Sequence, residues 1–103
     1  MDTALFNATD PQGQVIYLTE RCYTEHLLVE HPDMDDVDEI AKAVKSPDYI
    51  TEDVIDPERH IYYRIYQRHP QKWMVKVVVE QGEVVTAYRV NRIKRGELVL
   101  WQQ

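Results

Sequence analysis

The chain is poor in the residues that staple, coordinate or hinge a fold. Cys22 is its one cysteine, so neither a disulfide nor a cysteine-type zinc site forms within it. Glycine occurs only at positions 13, 82 and 96, which excludes a phosphate-cradling Gly-rich loop. Ser46 is the sole serine; neither it nor Cys22 has a suitable base beside it, and no Gly-x-Ser-x-Gly elbow occurs. No apolar run approaches the roughly 18 residues of a membrane span. The opening Met1-Asp2-Thr3-Ala4-Leu5-Phe6 has neither the basic segment nor the long apolar segment of an export leader. The expectation is a cytoplasmic protein with no membrane partner.

What is present is ordinary globular material. The 103 residues are 44% hydrophobic and 29% charged, which suits a single domain over 1–103 with a self-sufficient core. The net charge of -6 conceals a split. Residues 1–58 carry three basic and fifteen acidic side chains, whereas residues 59–103 carry nine basic and three acidic ones. Acidic helices packed beside a basic sheet would explain this. So would a basic half that faces a polyanion while the acidic half limits non-specific contacts.

The elements change character along the chain. Thr3–Thr9 and Gln14–Leu18 are short β-prone stretches around Asp10-Pro11-Gln12-Gly13, a turn sequence, so residues 1–18 predict an N-terminal hairpin. Thr19 predicts an N-cap for a helix to about Glu30, which His31-Pro32 ends. Asp35 or Asp36 caps a second helix, in which Val37, Ile40, Ala41 and Val44 form one apolar stripe. Ser46-Pro47-Asp48 stops it, so the helices occupy 19–46, and Thr51–Glu58 reads as polar linker.

From Ile61 the period becomes two. Ile61–Gln67, Trp73–Val79, Val84–Val90 and Glu97–Trp101 predict four strands over residues 60–101. The turns between them fall at His69-Pro70-Gln71-Lys72, Gln81-Gly82 and Arg95-Gly96. The expected fold class is α+β, with two N-terminal helices packed on a four-stranded antiparallel β-meander. Alternation assigns Ile61, Ile65, Trp73, Val75, Val77, Val85 and Ala87 to the helix side. Arg64, Lys76 and Thr86 would then share an open face with Tyr62, Tyr66 and Tyr88. Lys76 is the informative member, because it interrupts an otherwise apolar run.

Metal motifs fail. Asp33, Asp35 and Asp36 open like a calcium loop, but Asp38 stands where glycine is needed and Val44 where a carboxylate is needed. His26 and His31 are five residues apart, on different sides of a helix, and His60 and His69 lack a third ligand. No metal or cofactor is expected, which leaves acid–base chemistry if the protein is an enzyme.

Several short motifs, in order, carry a resemblance. They are Leu18-Thr19-Glu20-Arg21, His26, His31-Pro32, Ser46-Pro47-Asp48-Tyr49-Ile50, Tyr62-Tyr63, Val77-Val78-Val79, Val85-Thr86-Ala87-Tyr88 and Trp101. From Val15 onward the chain resembles small phage- and toxin-associated members of the barnase–EndoU–colicin–RelE-like nuclease superfamily. The resemblance implies the same helices-then-sheet fold and a metal-independent ribonuclease toxin, held in check by an antitoxin or immunity protein. It assigns the helix histidine to His26, the strand hydroxyl to Thr86, and the basic sheet residue to Arg64 or Lys76. The strong overall acidity departs from the family pattern.

On this expectation the ribose 2′-OH attacks its own phosphate. His26 serves as acid or base, and Arg64 and Lys76 neutralise the phosphorane. Thr86 and Tyr88 donate hydrogen bonds, and Tyr62 or Tyr66 stacks on a base. Two other readings stand beside it. One is a non-catalytic RNA- or protein-binding module on the same basic, tyrosine-lined face. The other is an acidic regulatory or antitoxin-like protein working through Asp33–Glu39.

Overall fold

The computed structural model describes residues 3–67 and 71–103. Arg68, His69 and Pro70, with the turn expected there, lie outside the described residues. Strand β1 (Ala4–Thr9) and strand β2 (Val15–Thr19) form the N-terminal hairpin. Its turn is built by Asp10, whose Oδ1 accepts from the backbone N–H groups of Gln12 (2.9 Å) and Gln14 (2.8 Å). Helix α1 covers residues 20–30, and Thr19 caps it by accepting from the Cys22 N–H at 3.1 Å. Its centre, Tyr23–Leu27, is wound as a π-helix, a departure that no periodicity in the sequence announces.

Helix α2 (Val37–Lys45) starts at Asp36, whose carboxylate accepts from the N–H groups of Asp38 and Glu39. Four further strands follow the order expected of the C-terminal half: β4 (Arg59–Gln67), β5 (Trp73–Glu80), β6 (Glu83–Val90) and β7 (Leu98–Gln102). The β5–β6 hairpin turns through Gln81 and Gly82, both at positive φ (51° and 81°). A side chain at residue 82 would also crowd the Val15 carbonyl, 3.2 Å from an ideal Cβ.

The four-stranded meander does not form. Strand β3 (Tyr49–Glu52) lies where the chain reads as the end of a helix stop and the start of a linker. It makes antiparallel pairs with both β4 and β7. The hairpin joins the other side through a single parallel bridge, Tyr17 to Glu83. The result is one curled, mixed sheet of seven strands in the order β1-β2-β6-β5-β4-β3-β7, with two short helices. Only β4-β5-β6 runs as a meander; β7 crosses to the far side to reach β3. The expectation failed because periodicity reports which segments are strands, whereas strand order depends on pairings distant in sequence.

The register also reassigns the faces. Tyr62 pairs with Val77 and Val77 with Ala87, so these residues share the helix side. There Ile40, Ala43 and Val44 of α2 pack with Tyr62, Val75 and Val77 in the main core. The opposite face carries Ile61, Tyr63, Met74 and Val78 in a second, smaller core, against which Tyr49, Ile65, Val90 and Ile93 pack. Both faces of the central strands are therefore buried, which accounts for the near-continuous apolar sequence of β5. Tyr62, not Ile61, points inward because its hydroxyl has a buried acceptor, the Asp10 carboxylate. Burial and this carboxylate both push the Tyr62 phenol far above its ordinary range. Tyr62→Phe would leave Asp10 Oδ2 without that donor. Its expected effect is a loss of about 1–3 kcal/mol, read as a lower urea midpoint at unchanged slope.

Candidate functional site: a cationic groove beside a buried ion pair

Lys76 sits mid-strand in β5 opposite Tyr63 on one side and Tyr88 on the other. Its ammonium lies 5.7 Å from the Tyr63 ring centroid and 5.3 Å from that of Tyr88, in cation–π geometry. A buried ammonium needs a counter-charge, and Glu97, just before β7, supplies it at 3.7 Å. The side chains are 8% and 0% exposed. The other Glu97 oxygen, Oε1, accepts from Tyr63 Oη (2.6 Å) and Thr51 Oγ1 (2.7 Å). Tyr63 in turn accepts from the Lys94 N–H at 3.3 Å, which pins the segment between β6 and β7 to the sheet. Burial, then the hydrogen bond to Glu97, raise the Tyr63 phenol well above its usual range.

Above this pair opens a cleft of about 740 Å³ lined by Lys76, Tyr88, Val90, Asn91, Arg92, Ile93, Lys94 and Arg95. Two smaller clefts continue from it. One of about 460 Å³ shares Asn91 and Arg92 and adds Gln71 and Lys72. The other, about 370 Å³, shares Asn91 and adds Trp73 and Arg89. Among the described residues, no acidic side chain lines any of the three. Arg89 lies over Trp73 (4.9 Å) and meets Glu39 at 3.6 Å, so it is partly neutralised, as Lys76 is by Glu97.

The expected constellation of site residues is dispersed. Tyr62, Arg64 and Tyr66 lie on the helix side, across the sheet from Lys76, Thr86 and Tyr88. Tyr62 is fully buried and offers no face to a base. Arg64 stacks on Tyr66 (5.5 Å) and donates to the Ser46 carbonyl (2.7 Å) at the end of α2, a helix-capping task. Tyr66 stacks on Trp73 at 5.1 Å and donates to the Glu39 carbonyl at 3.3 Å. Tyr88 stacks on His31 at 4.8 Å and lines the cationic cleft with Lys76.

His26 and Thr86 do meet, on the walls of a separate cleft of about 420 Å³ with Cys22, Glu30, Glu83, Val84 and Val85. The Thr86 hydroxyl is buried and has no hydrogen-bond partner among the described residues. This cleft is lined by two carboxylates and, among the described residues, by no lysine or arginine, the reverse of what a phosphate requires. The Cys22 thiol donates to the carbonyls of Val84 (3.2 Å) and Val85 (3.4 Å). Burial and then Glu83 raise its pKa, so it is not an activated nucleophile.

Sequence reasoning missed Glu97, Asn91, Arg92, Lys94 and Arg95. A usable signal was present: Arg92, Lys94 and Arg95 fall within four residues, with Glu97 the one acid after Glu83. Compared with known proteins, the chain matches no family model, no curated protein and no solved structure. Nothing in these comparisons bears on the nuclease-superfamily resemblance, and the helices-then-sheet fold it implies is not the one observed.

The buried pair makes a direct prediction. Lys76→Met leaves the Glu97 carboxylate buried without its counter-charge, at an expected cost of about 3–5 kcal/mol in urea unfolding. Adding Glu97→Gln to that variant should recover most of the loss. A double variant as unstable as the single one would show that Glu97 does not need the lysine.

Proposed function

We propose that the protein binds single-stranded RNA along the groove formed by residues 71–73 and 89–95, with Lys76 at its deep end. The observation that carries this reading is the chain of linked clefts lined by Lys72, Lys76, Arg89, Arg92, Lys94 and Arg95, in a protein whose net charge is -6. Cations gathered against the overall sign of the molecule mark a surface for an anion. Asn91 offers amide donors and acceptors, and Tyr88 and Trp73 line the same clefts beside the cations. The resemblance to ribonucleases favours RNA over DNA. The acidic half would disfavour indiscriminate contacts with other polyanions.

A metal-independent ribonuclease is the second reading, favoured by the shared cleft of His26 and Thr86. In it His26 would move the proton of the 2′-OH, while the phosphate charge would have to be met by cations outside that cleft.

Fluorescence anisotropy with a labelled RNA oligonucleotide tests the first reading. Affinity should fall steeply with salt, and Arg92→Ala should reduce the slope of log K against log salt by about one. His26→Ala should leave binding unchanged. Absence of salt-dependent binding would refute the strand-binding role. Incubating the same RNA in EDTA decides the second reading: product formed by the parent chain and lost in His26→Ala would support catalysis, and an intact substrate would remove it.

A further inference from the structure

We propose that the deep cleft over Lys76 is a receptor for the terminal phosphomonoester of an RNA strand; this rests on the strand-binding reading above. A phosphodiester inside a strand carries one negative charge, whereas a terminal monoester carries between about 1.5 and 2 near neutral pH, with a third unesterified oxygen. The two shallower clefts are each lined by a pair of cations, Lys72 with Arg92 and Lys72 with Arg89. The deep cleft gathers Arg92, Lys94 and Arg95 beside Lys76, whose charge Glu97 balances, around one volume of about 740 Å³. That local excess matches a dianion and exceeds what a passing diester needs.

Lys76 is held between the Tyr63 and Tyr88 rings and faces Glu97 at 3.7 Å, beyond hydrogen-bond distance. Its ammonium is thus fixed in place while its N–H donors remain available to an oxygen acceptor. Beyond Lys76 lies the buried Glu97 carboxylate, whose side chain is fully enclosed and repels any phosphate that would continue past it. A strand entering along Arg92 ends there. Lys94 is set over the floor because its backbone N–H donates to Tyr63, and Arg95 follows it into the cleft. Tyr63 fixes both, its hydroxyl accepting from the loop and its ring lying against the lysine, so the receptor is preorganised.

The experiment compares oligonucleotides of one sequence bearing a 5′-phosphate, a 3′-phosphate or neither, each titrated against the full chain by anisotropy at low salt. A fourth oligonucleotide, two nucleotides longer and unphosphorylated, controls for added charge. The expected result is at least about tenfold tighter binding of one phosphorylated form than of both unphosphorylated ones, and the arm that gains identifies the strand end. Lys94→Ala and Arg95→Ala should abolish this gain, whereas Lys72→Ala should weaken all four strands alike. These exposed positions avoid unpairing Glu97, so loss of fold does not confuse the outcome. Equal affinity of all four strands would overturn the terminal receptor while leaving strand binding intact. Failure of every strand to bind would overturn the strand-binding reading, and the receptor with it.

Discussion

A single carboxylate organises the far side of this sheet. The Glu97 side chain is enclosed completely, and a buried carboxylate is tolerated only where donors or a counter-charge converge on it. Here Thr51 of β3, Tyr63 of β4 and Lys76 of β5 converge, so one side chain ties three adjacent strands to the entry of β7. This contact explains why the chain leaves β6, crosses the outer face and returns beside β3 rather than continuing the meander. It also explains a lysine in the middle of an apolar strand. The ammonium supplies the counter-charge to Glu97 at 3.7 Å, and the two tyrosine rings face it in cation–π geometry.

The crossing segment inherits its chemistry from that constraint. The Lys94 N–H bond to Tyr63 and the packing of Ile93 against the second core hold this segment to the sheet. Its cations stay clustered over Lys76. Two acids of the N-terminal half carry structural tasks: Asp10 closes a turn and receives Tyr62, and Asp36 caps α2.

The His26 cleft has the opposite character. The π-wound centre of α1 sets Cys22, His26 and Glu30 toward the β6 edge, where Glu83 adds a second carboxylate. Such a cleft suits proton exchange better than phosphate binding. The groove and this cleft divide between them the features that a nuclease site would combine.

Much of the local structure was legible in the sequence. The Asp10–Gly13 turn, the Thr19 and Asp36 caps, the α2 stripe and the strands from residue 59 onward follow from nearest-neighbour chemistry, which acts over a few residues. Strand β3 was not legible, because Tyr49–Glu52 is too short to show a period and is made a strand by its two neighbours. The importance of Lys76 was visible as an interrupted apolar run; its partner was not. Register decided the rest. A shift of one residue between β4 and β5 exchanges the faces of every side chain, and alternation within a strand is blind to that shift. Whether Tyr62 or Tyr63 turns inward, and hence whether Arg64 joins Lys76, was settled by acceptors at Asp10 and Glu97. The sequence alone determined which segments are strands and helices and where charge resides. Only tertiary structure determined strand order, facing and convergence, because buried polar groups find their partners across long sequence separations.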